Sequence, residues 1–154
     1  MINEQNGHIG FYRIRVKSKG KIVAEDIIKN RITTVTLNKM INILDGINPD
    51  LEIKYLAIGT DNSPLDDADT QLGTEIFRTQ FQTSNHNVEG EFTTTFTILD
   101  NEAVDTWNEI GIFCGTGATA TPNSGTMLSR ILYNRVKTSL EEIEITRLDK
   151  FRRN

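Results

Sequence analysis

Residues 51–78 read LEIKYLAIGTDNSPLDDADTQLGTEIFR, and the fold class turns on this stretch. Ile53, Tyr55, Leu56, Ala57 and Ile58 form an apolar run of strand length. Gly59, Thr60, Asp61, Asn62, Ser63 and Pro64 end it with residues that favour turns. The loop beyond carries Asp61, Asp66, Asp67 and Asp69 with no aromatic and no basic residue, so it is expected on the surface, as a contact loop. A second strand then begins, opened by Glu75 and marked by Arg78. Two strands around a long acidic loop suit a structural or binding module better than a catalyst.

Working outward, residues 11–17 alternate Tyr12, Ile14 and Val16 with Arg13, Arg15 and Lys17, as a half-buried antiparallel strand requires. A turn at Ser18, Lys19 and Gly20 and a second run over residues 21–29 make a hairpin, with a bulge expected at Ala24, Glu25 and Asp26. The period then changes. Leu37, Met40, Ile41 and Leu44 fall at i, i+3, i+4 and i+7, which predicts a short α-helix over about residues 35–45. Thr34 or Thr36 is placed to cap its start and Gly46 its end. Its apolar stripe is expected to be buried against the β-structure.

Residues 77–82 and 92–98 both alternate Phe or Ile with polar residues and read as a second hairpin. Residues 107–114 and 126–134 read as a third, around the loop GTGATATPNSG, which is expected to be exposed and flexible. A last strand covers residues 140–146. These segments define a mainly β protein: an antiparallel β-sandwich of about eight strands with one short α-helix, in a single domain spanning 1–154. A faint internal echo runs through it: Ile58-Gly59-Thr60, a Pro-containing loop and Arg78, against Cys114-Gly115-Thr116, a Pro-containing loop and Arg130.

The chain has 154 residues, 37% hydrophobic and 25% charged, enough for one buried core. Its net charge of −4 argues against a nucleic-acid surface, and the short basic tail KFRRN reads as a solvated end. The single cysteine, Cys114, cannot close an internal disulfide and reads as small buried filler. Neither a signal peptide nor a run of about eighteen apolar residues is present, so membrane insertion is not expected.

No motif carries chemistry. The acidic loop begins like a calcium loop at Asp61-x-Ser63, but Pro64 follows, and neither the sharp-turn Gly nor the closing Glu is in place. The Gly-rich loop lacks the Lys-Ser/Thr ending that cradles phosphate. His8, His86, Ser129 and Ser139 sit in no nucleophile context. No catalytic residue, metal site or cofactor is therefore assigned. What stands out instead is charge amid apolar strands: Glu109 with Arg130, and Glu75 with Arg78, are expected to form structural ion pairs that fix loop anchors or a subunit contact. Asp61, Asn62, Asp66, Asp67 and Asp69 in the first loop and Thr116, Thr119 and Asn123 in the second are the candidate contact residues.

The order of segments KNRITTVTLNKMINILDG, IKYLAIGT, TQLGTEIFR, NEIGIF and MLSRILYNRVKTSLEEIEIT resembles tailed-bacteriophage virion components of the tail, baseplate or fibre type. The resemblance implies a non-enzymatic structural or adaptor protein of the virion, assembled in the host bacterial cytoplasm. It would work as a homo-oligomer joined to other virion proteins, with a host-surface receptor as a further candidate partner. The alternative is a glycan- or receptor-binding β-sandwich at a tail tip. Against it, neither long loop contains an aromatic platform.

Overall fold

The structure, a computed structural model, describes residues 7–152. They form β1 (Gly7–Ser18), β2 (Lys21–Ile32), α1 (Thr34–Ile41), a 3₁₀ turn (Asn42–Asp45), β3 (Ile53–Gly59), β4 (Glu75–Gln80), β5 (Thr83–Asn85), β6 (Glu91–Ile98), β7 (Thr106–Cys114), β8 (Thr126–Val136) and β9 (Glu142–Arg152). The strands make one antiparallel sheet of order β4-β3-β7-β8-β2-β1-β9-β6-β5. Thus nine strands in one curled sheet, a half-barrel, stand where two stacked sheets of about eight were expected. The physical reason lies in β2. It runs along β1 from Lys21 to Asn30, yet reaches β8 through Arg31 and Ile32 alone. That short seam joins the halves that would otherwise be the separate sheets of a sandwich.

Alternation sets the inner face of the curl. Tyr12, Ile14 and Val16 of β1, Phe96 and Ile98 of β6, and Ile143 and Ile145 of β9 meet Leu56 and Ile58 of β3, Ile110 and Ile112 of β7, and Ile131 of β8 in one buried cluster. Period-two patterning places these side chains on one face of every strand, and burial of that face is the main driving force for the curl. The second expected hairpin is corrected: β4 pairs with β3, and the strand that turns back onto β6 is the short β5, while β9 lies along the other edge of β6. The chain crosses between the ends of the sheet at Phe81 and Gln82, and Phe81 packs edge-on against Phe96 at 6.1 Å. The bulge in β2 falls at Val23, where the register to β1 shifts, one residue before the expected place.

The helix forms where its period places it, but Thr33 is the N-cap and accepts a hydrogen bond from Thr36 N–H. Gly46 ends the 3₁₀ turn at φ 70°, a left-handed conformation that costs glycine little. The burial of its apolar stripe is corrected. Thr36 is the buried residue of the helix, and Leu37, Ile41 and Leu44 face solvent. The Thr33 and Thr36 hydroxyls donate to the Met127 carbonyl, so polar contacts dock α1 to β8 and turn its aliphatic face outward.

Candidate functional site

Two long loops fold over the outer face of the β3-β7-β8 half, and a buried Glu–Arg pair holds each one. The first loop, residues 60–74, joins β3 to β4. Glu109 of β7 lies under its neck, fully buried. Its Oε1 accepts from Asp61 N–H at 3.3 Å and Thr74 N–H at 3.0 Å, its Oε2 from Gly73 N–H at 3.2 Å and Arg130 Nε at 2.7 Å. Both ends of the loop are therefore gathered by one carboxylate. Arg130 of β8 then reaches the middle of the loop, donating to Ser63 O, Pro64 O and Asp69 Oδ2. Gly59 makes the approach possible, since a Cβ there would collide with the Glu109 carboxylate and the Thr74 carbonyl.

The second loop, residues 115–125, joins β7 to β8, and its anchors come from β4. Arg78 donates through Nε and Nη2 to Glu75, and through Nη1 to Thr119 O at 2.8 Å and Ser124 O at 3.2 Å. Glu75 Oε2 accepts the Asn123 N–H. The Arg78 guanidinium also lies over the Phe113 ring, 4.6 Å from its centroid, where the ring's negative face favours a cation. Asp50, preceding β3, ties down the base of this loop by accepting from the Thr116 N–H and hydroxyl, and those bonds hold its carboxyl below the ordinary range. The anchoring is reciprocal. Each loop is held by residues of the hairpin that carries the other loop.

The structure thus brings Glu109 to Arg130 and Glu75 to Arg78, with each of these side chains at most 4% exposed. Beneath the loops lies a second apolar cluster, in which Leu72 of the first loop and Ala118 of the second pack on Ala57, Phe113 and Met127. The loops are flaps with exposed outer surfaces, not free arms. Asn62, Asp66 and Asp67 are exposed, as are Thr116, Thr119 and Asn123; Asp61 and Asp69 are half-buried. Asp61 accepts from the Ser63 hydroxyl and N–H, which hold its carboxyl below the ordinary range. Asp67 pairs with Arg31 of β2, so the cations absent from the loop itself are supplied by β2 and β8.

Sequence reasoning missed a second polar cluster, inside the curl. Arg147 of β9, fully buried, donates to Asp149 and, at 2.6 Å, to Ser129 Oγ, and lies over the Tyr12 ring. The Tyr12 hydroxyl is hydrogen-bonded to Ser129 Oγ, and His8 Nε2 to Asp149 Oδ1. Burial pushes the Asp149 carboxyl up, but the Arg147 guanidinium and the His8 hydrogen bond outweigh it and hold it below the ordinary range. Burial pushes the Tyr12 hydroxyl up. The signal was period two: Ile143, Ile145, Arg147 and Asp149 share a face. Lys137, also buried, donates to the carbonyls of Leu99 and Asp100 and thereby closes the turn after β6. Burial pushes the Cys114 thiol up to about 12, which leaves it protonated and inert at neutral pH.

Chemically, these groups are staples. A carboxylate has about four lone-pair sites, and Glu109 spends its own on Arg130 and three backbone N–H groups. Such a group holds the neck of the loop in place, each of its oxygens accepting two hydrogen bonds. Compared with protein-family models, with curated proteins and with solved structures, the chain matches none of them.

Proposed function

We propose that the chain is a non-enzymatic structural or adaptor protein of a tailed-bacteriophage virion, in the tail, baseplate or fibre-attachment region. It assembles as a multimer in the host bacterial cytoplasm and joins other virion proteins. One observation carries the assembly part: aliphatic side chains are turned to solvent along a short segment, with Leu37, Ile41, Ile43, Leu44 and Ile47 all more than half exposed. Contiguous apolar surface on a lone chain marks an interaction site. Support also comes from β2, which exposes Ile22, Val23 and Ile27 and, beyond Arg31 and Ile32, pairs with β1 alone among the described residues. A strand edge left open in this way is a template for pairing with another chain. The stapled loops supply the third element, a rigid acidic surface held by Glu109 and Arg130. Rigid loops bind with less ordering cost than mobile ones.

The virion part rests on the segment resemblance. The segments TQLGTEIFR, NEIGIF and MLSRILYNRVKTSLEEIEIT contain the four staple residues. Mass spectrometry and electron microscopy of particles made from the genome that encodes the chain test it. The chain is expected in purified particles, at a symmetric position in the tail. A chain left behind in the lysate, absent from every particle, would end the proposal.

A further inference from the structure

The exposed face of α1 and its 3₁₀ turn has an internal symmetry that names its occupant. Residues 37–47 read LNKMINILDGI. Reversed about Asn42, Leu37 falls on Ile47, Met40 on Leu44 and Ile41 on Ile43, while Lys39, the segment's one cation, falls on Asp45, its one anion. Exposure matches in two of the three apolar pairs, 53% for Leu37 against 54% for Ile47 and 59% for both Ile41 and Ile43, while Leu44 at 82% stands out further than the half-buried Met40. Neither Lys39 nor Asp45 forms an ion pair among the described residues, although Lys39 acts on Asp50 at a distance.

An isologous contact requires that residue i meet residue j and that j meet i across a two-fold axis. A segment whose reversed sequence matches apolar to apolar and cation to anion meets that requirement with itself. We infer that the occupant of this face is a second copy of the chain, packed antiparallel across a two-fold axis near Asn42, with two reciprocal Lys39–Asp45 pairs flanking an aliphatic centre. The inverted polarity of the segment follows. Thr33 and Thr36 are spent on docking it to β8, which leaves its aliphatic side for the partner. This deepens the assembly part of the proposed function and rests on it, while standing apart from the virion part.

Sedimentation velocity of the whole chain from about 1 to about 200 μM tests the inference, a range that brackets a micromolar dimer. The parent is expected to show a reversible monomer–dimer equilibrium. Leu37→Asp with Ile41→Asp should weaken it by about 100-fold or more, since two aliphatic groups are lost from each copy's side of the contact. Both positions are exposed, so the far-ultraviolet circular dichroism should not change. Lys39→Glu should weaken the dimer, and Lys39→Glu with Asp45→Lys should restore it, because the swap preserves opposite charges across the axis and nowhere else. A parent that stays monomeric throughout, a dimer indifferent to the Asp pair, or a charge swap that fails to restore would each overturn the inference. A multimer that survives the Asp pair removes this surface but leaves a building block assembled otherwise. A chain that dimerises here yet is missing from particles removes the virion proposal alone.

Discussion

The two halves of the curled sheet carry the same kind of ion pair on their outer faces and put it to different use. On the β2-β1-β9-β6 half, Arg15 reaches Glu25 and Glu144, Lys17 reaches Glu144, and Lys150 reaches Glu91, all part-exposed and open to water. On the β3-β7-β8 half, Glu109–Arg130 and Glu75–Arg78 are shut away beneath the loops. Loop length makes the difference. The two residues between β1 and β2 cover nothing, whereas residues 60–74 and 115–125 are long enough to fold back and dehydrate the strands they leave. An exposed pair contributes little because water screens it, while a buried one, once broken, leaves a charge without compensation.

The comparison breaks first at Glu109. Glu109→Ala should destabilise by about 3 to 5 kcal/mol, because Arg130 is left buried and unpaired. Arg130→Ala should cost a similar amount, read from urea unfolding midpoints at unchanged slope. Next in size is Arg78→Ala, at about 3 kcal/mol, since it strands Glu75 and removes the stacking on Phe113. If either variant melts with the parent, the loops do not seal these pairs from water. Third is Asp149→Asn inside the curl, which should lower stability at pH 7 and also change its pH dependence. A carboxyl held below its ordinary value stabilises the fold above its unfolded pKa of about 3.9 and ceases to do so as pH falls through the folded value. Urea midpoints of the parent should therefore fall more steeply than those of the variant between pH 5 and pH 3; parallel curves would show that Asp149 gains nothing from Arg147. Smallest is Arg15→Ala on the open face, expected to change stability by less than about 1 kcal/mol. A loss as large as that of Glu109→Ala would erase the contrast between the halves.

Alternation made most strands legible, because one face of each must be apolar. It also exposed Glu109 and Arg130, charges set among apolar strand residues. Arg147 escaped because the last strand was read only to Thr146, although two further steps of the same period reach Arg147 and Asp149. Strand partners were less legible. Phe77, Thr79 and Phe81 alternate in any pairing, so nothing local says that β4 turns back to β3 while β5 goes to β6. The single sheet was hidden for a similar reason, since two residue pairs at Arg31 and Ile32 hold its halves together. The stripe of α1 was read correctly as a stripe, but periodicity cannot say what covers it. Among the described residues Leu37, Ile41 and Leu44 are left uncovered, and Thr33 and Thr36 take the place against β8.

Reciprocal anchoring is the feature on which the loop surface depends, and amide hydrogen exchange tests it most directly. In Glu109→Ala, protection is expected to fall at the Asp61, Gly73 and Thr74 amides while that at Asn123 is kept. In Glu75→Ala the Asn123 amide should lose protection, and those of the first loop should keep theirs. If Glu109→Ala leaves the Asp61, Gly73 and Thr74 amides as protected as in the parent, Glu109 does not hold the first loop, and the cross-anchoring is wrong.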